Sequence, residues 1–575
     1  MPQAIHAAVG VCRRKGGALR RRREFFVSPL EEHAMTRVGR AVGVAVLATG
    51  MLCLAGRGAA RAGEAGEGSP PRNGTPVPLR LTLMAQQEPP PATPPAPPLT
   101  ITPEGTLPLP LRDAILQALR QNLDVLIEGF NPRARTEEVT KEEAAFDPAA
   151  FATLKFSEIK TPSASSIGGF TAFSPSERET ETGNVGVRKR FTLGTQLELS
   201  FNNDRGDTNS PAQVVNPSYR TDMTLTLTQP LLKNFGIEVN ETPIRLARGN
   251  LTISQALFVQ RVQGVVAEVE AAYWDLIFAI EDLEARRRSL RLAEALVRLN
   301  QARVRAGVAA PVEVIQAEAT RATRLEEIIT GEKAVRDGED RLKRAMNFGL
   351  APGEPEFTIQ PTDKPAVLGG PVPLEESLKD ARERRPELLQ AQEEVRNQER
   401  TYRFARNQLL PTLDLVGKVG TNGLGSAFDD DFDRAASGSF PTVEVSLLFE
   451  YPLGNRAARS EAERVRLLLE QARVSLRNVD QRVALEVREA VRQVRTTLER
   501  IEATKRAREL AAEQLRIEEK RLEAGVSTTF QVLEFQDDLT RAEANEIRAS
   551  TDYRKALATI DRVTATSLEK HQLRL

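Results

Sequence analysis

The chain contains one short signature twice, at a constant spacing. The signature is Arg-x-x-Ala-Gly-Val, and its copies are Arg303, Ala306, Gly307, Val308 and Arg521, Ala524, Gly525, Val526. Both 521 − 303 and 525 − 307 give an offset of 218, and long helical sequence precedes and follows each copy. Self-similarity at a fixed offset indicates a repeated structural unit. The sequence therefore predicts two long helical hairpins, each turning at a glycine that tolerates positive φ.

The duplication extends upstream with a different offset. The segment at Leu111 resembles the segment at Leu374, and Asp147-Pro148 parallels Leu410-Pro411, so that 374 − 111 and 411 − 148 both give 263. Because 263 exceeds 218 by 45, the first copy has 45 more residues between its rising and descending helices than the second. We expect this insertion to lie within 157–228.

The repeat sets the domain organisation that we predict from sequence. An N-terminal extension and signal peptide occupy 1–62, a Pro-rich disordered leader 63–106, the first repeat 107–348, a linker 349–372, the second repeat 373–565 and a C-terminal tail 566–575. Strands are predicted at 149–229 and 411–449, and hairpin tips at 305–311 and 523–529.

The N-terminal region has the pattern of an export signal. A basic start at Met35-Thr-Arg-Val-Gly-Arg precedes an apolar run at 41–55 and the small residues of Ala60-Arg-Ala62. The run is shorter than the ~20 residues of a spanning helix, and the pattern predicts cleavage after Ala62, with a mature start near Gly63. Proline, glycine, alanine and threonine dominate the leader that follows, which favours disorder.

Composition excludes several classes of function. The 79 basic and 79 acidic residues give a formal charge of zero, which offers no electrostatic footprint for nucleic acid. Both cysteines, Cys12 and Cys53, precede the predicted cleavage site, and of the 3 histidines only His571 follows it. With no nucleophile motif, nucleotide loop or metal-ligand cluster, we expect no enzyme activity, no cofactor and no metal.

Apolar residues recur every seven positions in the stretches before both signatures. In the first copy they are Val262, Val269, Leu276, Leu283, Leu290, Val297 and Val304; in the second they are Val487, Val494, Ile501, Leu515 and Leu522, with Arg508 interrupting the series. This period predicts continuous helices with one buried seam and a left-handed supercoil. The rising helices are expected to be segmented, with breaks at Asn122 and Pro386.

Alternating segments lie where a pure coiled coil would have only a turn. The alternating apolar residues are Leu197, Leu199, Phe201; Met223, Leu225, Leu227; Leu413, Leu415, Val419; and Val443, Val445, Leu447, Phe449. Alternation is the period of a strand with one apolar face. In an exported chain these strands fit an outer-membrane barrel closed by several copies, and an ordinary soluble sheet is the alternative.

The chain resembles the TolC-like outer membrane efflux protein family over 107–565. The resemblance rests on Leu111-Arg-Asp-Ala-Ile-Leu-Gln-Ala-Leu with Asn122, on Gln229-Pro-Leu-Leu, on Tyr273-Trp-Asp-Leu, on Leu410-Pro411 and on both Ala-Gly-Val turns. It implies a mainly α-helical protomer with membrane β-strands, a duplicated helix–β-hairpin–helix. Three such protomers would form a 12-stranded outer-membrane β-barrel continuous with a long periplasmic α-helical barrel.

The resemblance also implies partners and site residues. A passive exit duct for efflux or type I secretion would bind a periplasmic adaptor and an inner-membrane pump and lie in outer-membrane lipid. The hairpin turns would dock the adaptor through Arg303, Gly307, Val308, Arg521, Gly525 and Val526. Glu313, Gln531 and Glu534 are the candidates for a periplasmic constriction, and Ser527 stands where some relatives have a gating arginine.

Two further expectations bear on the fold. Tyr273 and Trp274 are interpreted as packing residues between helices. The additional strand pair around Val185 and Phe201, which turns near Leu193-Gly-Thr195, departs from four strands per protomer. The two alternatives are that it projects as an extracellular hairpin or that it joins the barrel, and we expect it to project. The alternative function is a periplasmic adaptor or structural coiled-coil protein, in which one hairpin flanked by soluble β-domains would be expected.

Overall fold

The computed structural model describes residues 105–167, 170–210, 213–349, 357–364, 370 and 372–573. The predicted signal peptide, both cysteines and nearly all of the Pro-rich leader lie outside these residues. Within them the chain runs twice through the same order of a segmented rising helix, antiparallel strands and a long helical hairpin.

Two helical hairpins dominate the molecule. The first consists of α4 (Thr242–Arg305) and α5 (Pro311–Met346), and the second of α9 (Arg456–Glu523) and α10 (Thr529–Val563). With 64 and 68 residues, α4 and α9 are roughly 100 Å long at 1.5 Å per residue. Among the residues that the structure describes, no helix combines the length and the apolarity that crossing a membrane requires.

The rising helices are segmented, as predicted. In the first copy α1 (Leu111–Gln121) gives way to α2 (Leu123–Glu143) at Asn122, whose side chain accepts from the backbone amides of the next helix. In the second copy α6 (Leu374–Arg384) gives way to α7 (Pro386–Asn407) at Arg385, the residue that Pro386 forces out of helical geometry.

The predicted heptad seams form the helical cores. Val262, Val269 and Leu276 pack with Tyr273 and Trp274 between α1, α4 and α5, which confirms the packing role of the aromatic pair. Val487, Val494 and Ile501 form the equivalent cluster with α10. The interruption at Arg508 is explained by an ion pair across the hairpin, since its Nε lies 2.6 Å from a Glu546 carboxylate oxygen.

The remaining helices and a small sheet complete the helical region. Strands β1 (Thr106–Leu109) and β6 (Thr358–Pro361) pair in parallel, and the buried Tyr273 hydroxyl donates to the Asp363 carboxylate at 2.7 Å and contacts the Leu109 carbonyl. Two single-turn helices, α3 (Ile237–Asn240) and α11 (Ser567–Lys570), precede α4 and follow α10. His571 lies 2.6 Å from the Glu270 carboxylate on α4.

At the far end from the tips lies one six-stranded antiparallel sheet. Its strands are β2 (Ala149–Ile167), β3 (Phe170–Arg190), β4 (Gln196–Thr208), β5 (Ser218–Pro230), β7 (Thr412–Asn422) and β8 (Pro441–Glu450), in that spatial order. Helix α8 (Phe428–Ala436) packs over the distal ends of β4, β5 and β7 through the buried Asp431, which accepts from the Thr221 amide.

The expectation of a projecting extra hairpin is wrong, and with it the expectation of four strands per protomer. β3 and β4 are consecutive members of the sheet, paired from Arg178 with Thr208 to Arg190 with Gln196. Their turn lies at the helical end, where the Gly236 amide donates to the Leu193 carbonyl and Arg190 donates to Asn240. The inserted residues join the sheet because pairing gives hydrogen-bond partners to backbone groups that would be unpaired on the outer edges of a projecting hairpin.

Candidate functional site

The two hairpin tips have the same backbone geometry. Gly307 and Gly525 both adopt φ of 75°, the left-handed conformation that ends a helix and favours glycine. The amides of Val308 and Val526 donate to the carbonyls of Arg303 and Arg521, at 3.0 and 2.9 Å. The repeated signature therefore encodes one helix-ending hydrogen-bond motif, used twice.

The two descending helices begin differently. α5 begins at Pro311, whose ring fixes a helical φ at the first position of the helix. α10 begins after Thr528, which forms a reciprocal capping box with Gln531. Ser527, beside this cap, contacts the carboxylate of the buried Glu518, which also pairs with Arg521 at 3.0 Å. Burial, with repulsion from Glu523, raises the pKa of the nearby Glu519.

Exposed apolar side chains surround both tips. Val308 and Val526 are 67% and 65% exposed, and the neighbouring exposed apolar residues are Val312, Ile315 and Phe530. Arg303 is half-buried and Arg521 is exposed. The six predicted docking residues thus lie in two similar patches, each with an apolar residue at its apex and an arginine one turn behind it.

A polar junction connects the two hairpins just behind their tips. The buried Thr529 hydroxyl lies 2.9 Å from a Glu313 carboxylate oxygen and 3.2 Å from Asn300 Oδ1. The Asn300 side-chain amide donates to the Glu313 carbonyl at 3.2 Å, and Asn300 is completely buried. This junction lies beside an apolar cluster in which Leu296 of the first hairpin meets Leu515 and Val532 of the second.

The three constriction candidates have different surroundings. Glu313 is half-buried and faces Thr529 of the other hairpin, Gln531 is exposed but engaged in the capping box, and Glu534 is exposed on α10. Of the three, Glu534 is the carboxylate that is exposed and lies outside the junction. In the described part of the chain, no group of at least three His, Cys, Asp or Glu residues is arranged to hold a metal ion.

Near its helical end, the six-stranded sheet has one mainly apolar and one mainly polar face. Directly paired residues form an apolar row across five strands: Val187, Leu199, Leu225, Val419 and Val443. The adjacent row, which points to the opposite face, is Arg188, Glu198, Thr226, Lys418 and Glu444. Val443, Val445, Leu447 and Phe449 are between 63% and 74% exposed, so none of the residues that the structure describes covers the apolar face of β8.

The model of the outer membrane efflux protein family matches residues 179–347 and 377–566. The chain belongs to the outer membrane efflux protein family. The two matched segments contain one hairpin each, so the family assignment and the internal duplication describe the same architecture. No curated protein matches the sequence.

Solved outer-membrane channels have the same fold. The outer-membrane channel OprN is 16% identical with a TM-score of 0.59, over 79% of this chain and 90% of its own. The CmeC outer membrane channel of Campylobacter jejuni is 14% identical, with a TM-score of 0.56 over 81% and 90% of the two chains. VceC of Vibrio cholerae is 15% identical, with a TM-score of 0.56 over 79% and 95%. At these identities the likeness establishes the fold of an efflux-family protein.

Sequence reasoning missed Asn300 and Thr529 as members of the junction. Asn300 lies between the seam residues Val297 and Val304. Its neighbours Arg298 and Gln301 are also polar, so no signal in the sequence indicated its burial. Thr529 gave no signal, because its partner Glu313 is 216 residues away.

Proposed function

We propose that this efflux-family protein is an outer-membrane exit duct, which conducts substrates from a periplasmic adaptor and an inner-membrane pump to the cell exterior. Three copies would close their sheets into a membrane barrel and their hairpins into a periplasmic tunnel. Conduction is passive, and the substrate is chosen upstream, so the duct itself needs no catalytic group.

The main support for this proposal is the sheet with one apolar and one polar face, which lies at one end of two hairpins ~100 Å long. An apolar row around the outside of a barrel suits lipid, and a row of Arg188, Glu198, Lys418 and Glu444 suits a water-filled interior. A periplasmic adaptor or a structural coiled coil has no use for an exposed apolar sheet face, which disfavours both alternatives.

The tips are the proposed docking surface for the adaptor. Val308 and Val526 present apolar apices, and Arg303 and Arg521 place a cation behind each. Because the two tips share one backbone geometry, an adaptor with repeated binding sites would meet similar surfaces on both hairpins. This arrangement supports the six residues as one docking motif presented twice per chain.

The junction of Asn300, Glu313 and Thr529 is proposed to stabilise the closed state of the tunnel. Opening the tunnel requires the hairpins to shift against each other, a change between two packings of existing helices. The Thr529–Glu313 contact joins the first turns of α5 and α10 and would break on such a shift. Glu534, exposed one turn further along α10, is the proposed source of negative charge at the constriction.

Fractionation and conductance test the proposal. The mature protein is expected in the outer-membrane fraction as a trimer, and purified trimers are expected to conduct ions across planar bilayers. Recovery in the inner membrane, or as a soluble monomer, would contradict the duct. A trimer in the outer membrane whose removal leaves export of every pump substrate unchanged would contradict it as well.

A further inference from the structure

We propose that three copies close an eighteen-stranded barrel, because each chain contributes the six strands of one continuous sheet. The inference rests on the proposed function, which supplies the number of copies, three. What it adds is the contact between copies, from β8 of one chain to β2 of the next, and the role of the inserted hairpin β3–β4 as part of the barrel wall.

The sheet has two open edges. β2 pairs with β3 along all 19 of its residues, and β8 pairs with β7 along its length; within the described chain neither strand has a second neighbour. An open edge with an exposed apolar face is a template for pairing with another strand. The two edges lie five strand spacings apart, about 24 Å at ~4.8 Å each, so they cannot pair with each other inside one chain.

The occupant that fits each edge is the opposite edge of a second copy. On β8 the apolar face consists of odd-numbered residues, including Val443 and Val445, and on β2 it consists of even-numbered residues, including Leu154 and Phe156. Antiparallel pairing of odd β8 residues with even β2 residues continues the apolar face from one copy into the next. Pairing shifted by one residue would place apolar side chains in the polar interior.

The charges on the polar face also match. The polar face of β2 carries Lys155, and the polar face of β8 carries Glu444 and Glu450. Both edges end at the helical border of the sheet, since Ala149 begins β2 and Glu450 ends β8. If these ends are aligned, Glu444 lies opposite Lys155, a favourable cross-strand pair of opposite charge.

The competing arrangement is a barrel of four strands per copy. It would use β4, β5, β7 and β8, and β8 would pair with β4 of the next chain. In this fold both edges of β4 are occupied, because β3 pairs with it along its whole length and β5 pairs with it from Gln196 to Gly206. Six strands per copy instead of four enlarge the wall from twelve to eighteen strands, and the barrel diameter rises about 1.5-fold, since diameter grows linearly with strand number.

Disulfide cross-linking between copies tests the inference. The chain's 2 cysteines, Cys12 and Cys53, are first replaced by serine. Val445→Cys on β8 is then combined with Ala152→Cys, Leu154→Cys or Phe156→Cys on β2. The matched controls combine Val445→Cys with Thr153→Cys or Lys155→Cys, which lie on the other face. A final pair, Val445→Cys with Leu199→Cys on β4, tests the four-strand barrel.

The expected result is covalent dimers and trimers from at least one even-numbered β2 variant, with monomers only from the controls and from the β4 pair. Cross-linking of Val445→Cys to Leu199→Cys would overturn the eighteen-stranded barrel and leave the exit duct intact. Monomers from every pair, in protein that purifies as a conducting trimer, would overturn the edge contact alone. Monomers from every pair in protein that never forms a trimer would overturn both proposals.

Discussion

The Thr529 hydroxyl lies 2.9 Å from the Glu313 carboxylate, so the first turn of α10 is bonded to the first turn of α5. Residues that begin the two descending helices, one in each repeat, are thus in direct contact behind the tips. Movement of either tip relative to the other must change this bond.

Replacing Thr529 with valine should loosen the closed tip. The two side chains have the same shape, so Thr529→Val removes the hydrogen bond with little change in packing, at a cost of about 1–2 kcal/mol. We expect larger or longer openings in planar bilayers. The control is Thr540→Val, because the Thr540 hydroxyl bonds only to a carbonyl of its own helix, that of Gln536. Equal conductance of Thr529→Val and the unaltered protein would exclude the junction from gating.

The tip glycines should be needed for export and dispensable for assembly. An added Cβ at Gly307 or Gly525 meets no atom within 4 Å, so the cost is that of the backbone conformation alone, about 1–2 kcal/mol for most residues and more for a β-branched one. Gly307→Val with Gly525→Val should distort both docking surfaces and abolish export in cells, with trimers retained on native gels.

Gly438→Val is the matched control for the tips. Gly438 has a φ of 67° and equally open surroundings, but it follows α8 at the opposite end of the molecule. This variant has a backbone cost comparable to that of one tip substitution, so it is also compared with Gly307→Val and Gly525→Val singly, and it should export normally. If it abolishes export as completely as the tip variants do, loss of stability explains the tip phenotype and adaptor docking does not.

Glu534→Gln should lower cation selectivity. Glu534 is exposed on α10 near the tip, so removing its charge from each copy weakens a ring of negative potential at the proposed constriction. The measurement is the reversal potential under a salt gradient. Glu513→Gln removes an exposed carboxylate that is paired with Arg516 on α9 and should leave selectivity unchanged. An unaltered reversal potential for Glu534→Gln would place Glu534 on a solvated outer face.

Stability should depend on pH through Glu339. Burial raises the pKa of this carboxyl above its ordinary value, although its bond from the Ile359 amide and the nearby Lys343 oppose the shift. Folding therefore favours the protonated form: the stabilising contribution is fully present below the ordinary pKa of about 4.3 and is lost as pH rises through the raised value.

Glu339→Gln should remove this pH dependence. The variant's melting temperature is expected to exceed that of the unaltered protein most at pH 8, with the difference narrowing as pH falls to 5. Asp337→Asn changes an exposed carboxylate on the same helix, which is paired with Lys333, and should shift the difference little. A difference that widens on acidification would contradict burial as the dominant effect.

The helical half of the fold could be predicted because its signals are local and periodic. Positive φ at Gly307 and Gly525 follows from the turn sequence, and the buried seam follows from residues such as Val262 and Val487 at seven-residue spacing. The docking role of the tips stays a prediction, since it depends on a partner surface.

The sheet and the junction depend on contacts that no local pattern contains. Alternation identified Leu197, Leu199 and Phe201 as a strand, but whether β3 and β4 join the sheet is decided by backbone pairing with β5, which alternation does not specify. Similarly, Glu313 is engaged because the fold brings Thr529 of the other repeat to it. The pairing of β4 with β5 lies within one repeat and the Thr529–Glu313 contact joins the two repeats, and neither follows from the local sequence pattern.

Because α5 and α10 begin with different stabilising features, we expect the first turns at the two tips to differ in how readily they fray. The covalent ring of Pro311 fixes φ at the first position of α5, and no bond rotation relaxes it. The Thr528–Gln531 capping box consists of hydrogen bonds that water can replace, at a cost of about 1 kcal/mol. Fraying should therefore start at the second tip, and hydrogen exchange should be faster in the first turn of α10 than in that of α5. We therefore expect the duplicated sequence to give one stiff tip and one pliant tip in the same chain.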